Sequence, residues 1–366
     1  MADRLLVGTR KGLFVLKRTA PLQWQIEATH FLAEPVSMVL HDARTDVLHV
    51  ALNLGHFGVK MWRSRDFSTS SGNNWEETPA PLYPAQPASA ADEQPWNLGQ
   101  VWALEAGGAD QPGLLWAGTL PGGLFVSRDQ GDSWELNRPL WDRDERRQWG
   151  GGGYDTPGIH SICVDPRHSA TVSVAISTGG IWQTHNGGAD WQLIGNGMYA
   201  DYMPEDMRTD PLVQDVHRLV QCGKDPDVLW VQHHCGIFRS RDNAQTFEQI
   251  HAQPSSFGFA VAVHPRDANT AWFVPAVKDE CRVPVDGKFV VTRTRDGGKT
   301  FAALTSGLPQ EPAYDLVYRH GLDIDASGDR LAMGSTTGSL WITENGGEAW
   351  TPVSAHLPPV YCLRFF

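Results

Sequence analysis

The sequence predicts a seven-bladed β-propeller of four-stranded antiparallel blades, with residues 1–366 forming one all-β domain. Three observations predict it. One line recurs along the chain: an apolar strand, a Gly-containing turn, a second apolar strand, then Ser/Thr-x-Asp/Asn-x-Gly-x-x-Trp/Phe. Another strand-like run precedes each copy, so a unit holds four strands, A to D, the content of one propeller blade. Finally, the chain ends in PPVYCLRFF, which has the A-strand pattern and no B to D strands after it.

The first unit, RLLVGTRKGLFVLKRTAPLQW, keeps its strands and Trp24 but lacks the acid, the glycine and an A strand of its own. Val360–Phe366 supplies that strand, and closing the ring this way leaves no major exposed sheet edge. The second unit runs from PVSMVLHD to Ser64, Asp66, Gly72 and Trp75, with extra residues in its turn. The third runs from QVWALEA to Ser127, Asp129, Gly131 and Trp134. The fourth, from GIHSICVDPR, ends at Thr184, Asn186, Gly188 and Trp191. The fifth, from DVHRLVQCGKDP, keeps Ser240, Asp242 and Phe247. The sixth, from FGFAVAVHPRD, gives Thr294, Asp296, Gly298 and Phe301. The seventh, from LVYRHGLDID, gives Thr343, Asn345, Gly347 and Trp350.

Turn chemistry accounts for every position of the repeat. The Asp or Asn side chain accepts bonds from backbone amides of the following turn. Glycine supplies backbone angles that a Cβ would forbid. The Trp or Phe returns on the next strand and packs between sheets. Asp66, Asp129, Asn186, Asp242, Asp296 and Asn345 are therefore read as structural.

The repeat resembles the Asp-box, or BNR, repeat of sialidases, sortilin-type receptors, xyloglucanases and a photosystem II assembly factor. Over essentially its whole length the chain is similar to uncharacterised bacterial BNR-repeat, glycosyl hydrolase-like proteins. The resemblance is specific for fold and weak for function, because these families do unrelated things. The sialidase Arg-Ile-Pro signature is absent and its arginine triad cannot be matched. Xyloglucanases use a cleft between two propellers, which one propeller does not make. The photosystem II factor binds its partner through a basic patch, whereas this chain carries a net charge of −12.

That charge, with no Lys/Arg cluster, argues against nucleic acid and anionic membranes as partners. No apolar run has membrane-spanning length and the N-terminus has no signal-peptide core, so a cytoplasmic location is expected. Five scattered cysteines make neither a disulfide framework nor a CxxC zinc site.

The repeat turns join C to D strands and mark one face of the ring. The long insertions, 77–98, 137–158, 195–214, 276–287 and 305–315, fall on the opposite face. Long loops gathered on one face of a rigid scaffold are the usual place for binding or catalysis. Unusual polar residues collect there too. Its B–C turns hold Arg10 and Lys11, Asn53 and His56, His233 and His234, and Lys278 to Arg282. Its A-strand starts hold Glu34, Trp96, Asn97, Trp102, Asp155, His160, Asp215, His217, Tyr318 and Arg319. Arg10, Asn53, His56, Trp96, Asn97, Trp102, His234, Tyr318 and Arg319 are the candidate substrate-binding residues. His160, His217, Asp155, Asp215 and Glu34 are the candidate catalytic ones.

His160, His217 and His233 can hold a divalent metal ion or transfer protons, with Asp155 or Asp215 assisting. Alternatively they line a wet polar funnel. Trp96, Trp102, Trp141 and Trp149 can serve as ligand platforms or as pins that hold the loops to the ring. The segment QWGGGGYDTPG can let backbone approach a ligand closely or let a loop move. Two functions follow. The first is a hydrolase- or lyase-type enzyme acting on a small polar or sugar-like ligand at the channel mouth. The other is a non-catalytic module that grips a protein or peptide partner with the same loops.

Overall fold

In a computed structural model, which describes residues 1–68, 74–88, 92 and 94–366, seven four-stranded antiparallel sheets stand in a ring. In blades two to seven the strands run in chain order from A, innermost, to D. The A strands adjoin one another around a central channel. Blade one takes its A strand from Val360–Phe365 and its B strand from Arg4–Thr9. The two pair with Leu5 opposite Phe365 and Val7 opposite Leu363, so the closure expected from the two ends of the chain is present. Among the described residues no helix is long and apolar enough to cross a membrane.

Apolar side chains fill the spaces between blades. Trp116, Trp182, Trp191, Trp230 and Trp272 are all fully buried. Each such ring stabilises the packing by about 2–3 kcal/mol, and the indole N–H groups find partners where a turn supplies one. Trp191 Nε1, for example, donates to Asn137 Oδ1 at 2.8 Å.

The repeat turns share one geometry. Asp129 Oδ1 accepts from the Ser133 amide at 2.9 Å, and Ser127 Oγ accepts from the Gly131 amide at 2.8 Å. Asn186, Asp242, Asp296 and Asn345 accept in the same way from the amide four residues on. Bonds from Thr300 pull the Asp296 carboxyl down to about 2. The glycine amide is thus held by the Ser/Thr hydroxyl, and the acid holds the amide that follows. Gly131, Gly188, Gly298 and Gly347 all have φ near +90°. In the fifth copy Ala244 takes this place at φ 65°. Asp66 accepts from Asn74 Nδ2 at 2.7 Å, while Gly72 lies outside the described residues.

Blade seven departs from expectation. Its A strand is only Leu322–Ile324, so Tyr318 and Arg319 sit in the crossover before the strand rather than at its start. Pairing of Gly321 and Tyr318 backbone groups at 2.6 Å turns the chain there. The channel end nearest the repeat turns is lined by charge. Arg364 pairs with Glu105, Asp323 Oδ2 accepts from the Phe365 amide at 2.7 Å, and Arg218 donates to the His160 carbonyl at 3.1 Å. Burial pushes the Asp323 carboxyl up to about 6.

Candidate functional site: the channel mouth opposite the repeat turns

A strands, crossovers and B–C turns from blades one, two, three, six and seven, with the crossover into blade four, enclose a cavity of about 880 Å³. Its charge is one-sided. Arg10, Arg282 and Arg319 line it, and among the described residues Glu34 is its one carboxylate. Trp102, Tyr154, Tyr318, Tyr361 and Phe57 supply aromatic walls. Asn53 and Gln100 add a polar edge, with Asn53 Nδ2 donating to Gln100 Oε1 at 3.1 Å.

Arg319 is the best-fixed of the three cations. Its guanidinium lies 4.7 Å above the Trp102 ring and 5.7 Å from the Phe259 ring. Nη2 donates to the Gly152 carbonyl at 2.7 Å. Burial pulls its pKa down to about 10, opposed by the Asp215 charge. Arg282 lies 5.2 Å from the same Phe259 ring and is held by Asp279 at 2.6 Å.

Behind the glycine loop lies a second group. Asp215 Oδ2 is 3.7 Å from His217 Nε2 and 3.4 Å from His234 Nδ1. A Cβ added to Gly152 would stand 2.6 Å from Asp215 Oδ1, and one added to Gly153 would stand 3.6 Å from Arg319 Nη1. The glycine backbone is therefore wedged between Asp215 and Arg319, one residue thick, which explains why side chains are absent there. Burial would raise the Asp215 carboxyl, but His217, His234 and Arg319 outweigh it and hold it well below the usual carboxylate range. The Asp215 carboxylate beside it raises the His234 pKa.

The expected residues divide. Arg10, Glu34, Asn53, Trp102, Tyr318 and Arg319 line the cavity. Asp215, His217 and His234 come together behind the loop. His160, His217 and His233 do not form the expected metal group. His160 and His233 are fully buried in the ring wall, one edge-on to Trp102 at 5.3 Å and the other edge-on to Phe238 at 5.2 Å. His160 Nδ1 is bonded to Ser161 Oγ at 2.9 Å, and His233 Nδ1 accepts from the Cys235 amide at 2.9 Å. Burial lowers both pKa values, that of His233 to about 3. Asp155 is exposed, and it is His234 rather than Asp155 that joins Asp215 and His217.

His56 and Asn97 are exposed and do not line the cavity. His56 packs on Phe57 instead, with ring centroids 3.9 Å apart. Trp96 is a loop pin: it donates to Asp92 at 2.7 Å and meets Trp141 edge-on at 5.3 Å. Arg146, paired with Asp92 at 2.8 Å, covers Trp141 at 4.0 Å. Tyr154, Gln100 and Tyr361 were not singled out by residue type, whereas Arg282 belongs to the polar B–C turn of blade six. Tyr154 had a signal in the sequence, since it directly follows the glycine run.

No protein-family model matches the chain, and no curated protein matches it. The fold is shared with solved propellers. A putative 6-phosphogluconolactonase from Bacteroides fragilis is similar over 99% of this chain and 97% of its own, with TM-score 0.58 and 12% identity. YCF48 bound to D1 peptide is similar over 83% of this chain and 77% of its own, with TM-score 0.50 and 13% identity. An ancestral GH74 enzyme is similar over 86% of this chain, TM-score 0.58, at 16% identity. This chain spans 38% of that enzyme's length. The chain is a β-propeller. At these identities the likeness carries the fold alone.

Proposed function

We propose that the chain is a hydrolase- or lyase-type enzyme for a small, polar, sugar-like substrate that carries an anionic group. The observation that carries this reading is the lining of the mouth cavity: three arginines and several aromatic rings against a single carboxylate, in a chain of net charge −12. Arginine forks bind carboxylate or phosphate oxygens in pairs, and aromatic faces stack on apolar ring faces. A glycosidase working by two facing carboxylates needs a second acid about 5–9.5 Å from the first, and Glu34 has no such partner in the lining. The chemistry is assigned to Asp215, His217 and His234, with an imidazole as the proton-transferring group. The glycine loop separates that group from the cavity, and its backbone freedom lets the two join when the loop shifts.

The test is turnover of a panel of uronic-acid glycosides, sugar phosphates and sugar-acid lactones beside their neutral counterparts. Turnover of an anionic member, lost in His217→Gln, supports the reading. No turnover, or turnover of neutral members alone, contradicts it. A second reading, a peptide-binding module, draws on the exposed aromatic rim of Phe57, Tyr154, Tyr314 and Tyr361 and on the peptide bound by YCF48. Under it, a peptide with an acidic residue binds the mouth and no panel member is turned over.

A further inference from the structure

We propose that Asp215, His217 and His234 form a binding site for one divalent transition-metal ion of the zinc class, held by one carboxylate and two imidazoles. The inference names a cofactor for the group just assigned to chemistry, but it stands on that group's own geometry.

The first argument is spacing. Zinc–nitrogen and zinc–oxygen bonds of about 2.0–2.2 Å put neighbouring ligand atoms of a tetrahedron about 3.3–3.6 Å apart. The observed separations from Asp215 Oδ2 are 3.4 Å to His234 Nδ1, inside that range, and 3.7 Å to His217 Nε2, just beyond it. The three ligand atoms lie within 4.8 Å of one another. Direct hydrogen bonds would be shorter than either separation.

A second argument concerns protons. His217 Nδ1 lies 2.7 Å from the Gly258 carbonyl oxygen. A carbonyl only accepts, so Nδ1 carries the hydrogen. In the neutral ring, Nε2 is then a bare lone pair turned towards a carboxylate. Two such acceptors are bridged either by a proton or by a metal ion, and the 3.7 Å and 3.4 Å separations leave room for the metal ion. A histidine that donates one ring N–H to a backbone carbonyl and offers the other nitrogen is the arrangement that orients metal ligands.

Pre-organisation supplies the third. His217 is stacked on Phe259 at 4.5 Å, 14° from parallel, and His234 meets Tyr202 edge-on at 4.9 Å. The Tyr202 hydroxyl is committed elsewhere, donating to the Val213 carbonyl at 2.8 Å and accepting from the Asp215 amide at 3.1 Å. Asp215 Oδ1 is buried and has no hydrogen-bond partner. Three protein ligands, rather than four, leave a position for water or substrate, as in catalytic zinc sites.

The experiment uses the full chain, stripped with a chelator and dialysed. Zinc is titrated in, and cobalt(II) replaces it for visible absorption. One equivalent of zinc should bind with micromolar or tighter affinity, and cobalt should give the intense bands of a four-coordinate site. His234→Gln, at a half-exposed ring, should weaken zinc binding at least tenfold with unchanged circular dichroism. His217→Gln should abolish it, and His160→Gln should leave it intact. Absence of stoichiometric binding, or binding unchanged in both His234→Gln and His217→Gln, overturns the site; a proton then bridges the three groups. Zinc binding without turnover of any panel member leaves the metal site standing and removes the proposed activity. Metal-independent turnover does the reverse.

Discussion

Arg319 donates to the carbonyl oxygen of Gly152 at 2.7 Å, across 167 residues of sequence. This bond ties the crossover into blade seven to the crossover into blade four. It also puts the cavity's most buried cation and the Asp215 group on opposite sides of one glycine backbone. What the mouth can bind and what the buried group can reach are therefore set by the same loop.

Gly152→Ala tests that wedge. Its new Cβ would stand 2.6 Å from Asp215 Oδ1 and 3.1 Å from Ser177 Cβ. Overpacking of this kind costs about 1–3 kcal/mol. The melting midpoint should fall and zinc affinity should drop. Gly150→Ala is the control, because its Cβ would meet Thr178 at an ordinary 3.4 Å. Equal melting midpoints for the two variants would remove the close-approach explanation of the glycine run.

Arg10 offers the cleanest test of charge at the mouth. It is exposed, so Arg10→Ala removes a cation without disturbing the core. A hydrogen bond to a charged group contributes about 1.5–3 kcal/mol, so the affinity for an anionic sugar should fall at least about tenfold. The melting midpoint should stay within about one degree. Isothermal titration and a thermal melt read the two effects separately.

His49 predicts an acid sensitivity far from the site. It is buried between blades two and three, and both ring nitrogens lack partners. Burial lowers its pKa from 6.5 to about 4, although Asp42 opposes the shift. Between those values the unfolded chain binds a proton that the folded chain does not. Stability is therefore lost as pH falls through that window. Asp323, raised from 3.8 to about 6, has the opposite sign: its proton is bound in the folded chain, and stability is lost as pH rises from 3.8 to 6. The parent's own curve mixes the two. The difference between parent and His49→Leu isolates the histidine. Denaturant unfolding at pH 7 and pH 5 should show the variant gaining relative to the parent at pH 5. An equal difference at both values would show that His49 does not titrate in this way.

The ring was legible because its signal is repeated. Six copies of one turn motif, five of them with the same bond from the acid to the amide four residues on, leave little room for another fold, and the unpaired strand patterns at the two ends point to each other. Site residues on the expected face were legible where a turn or crossover places them by topology alone, as with Arg10, Glu34, Asn53 and Arg319. Which histidines meet was not legible. His160 and His217 hold equivalent strand positions, yet His160 turns onto Trp102 while His217 stacks on Phe259. His233 and His234 are adjacent, but His233 ends a strand while His234 opens the turn after it, and only His234 pairs with Asp215. Local side-chain direction, in the inner strands and at the B–C turn, and not residue type, made that choice.

Ala244 tests the repeat turn itself. It occupies the glycine position at φ 65° and is fully buried. A left-handed conformation costs a non-glycine residue about 1–2 kcal/mol, while the buried methyl contributes about 0.8 kcal/mol. Ala244→Gly should therefore be neutral or slightly stabilising. Ala117→Gly, in a blade-three strand and equally buried, should destabilise by about 1–2 kcal/mol. Equal losses in the two variants would contradict the turn geometry.

The most direct test of the central claim is isothermal titration of the protein with D-glucuronate and, separately, D-glucose. These share a ring and differ in the anionic group. The arginine-lined mouth predicts binding of glucuronate at least tenfold tighter than glucose, with that advantage reduced in Arg10→Ala. Equal affinities for the two sugars, or a glucuronate preference untouched by Arg10→Ala, would contradict the account of the mouth as an anion-selecting substrate site.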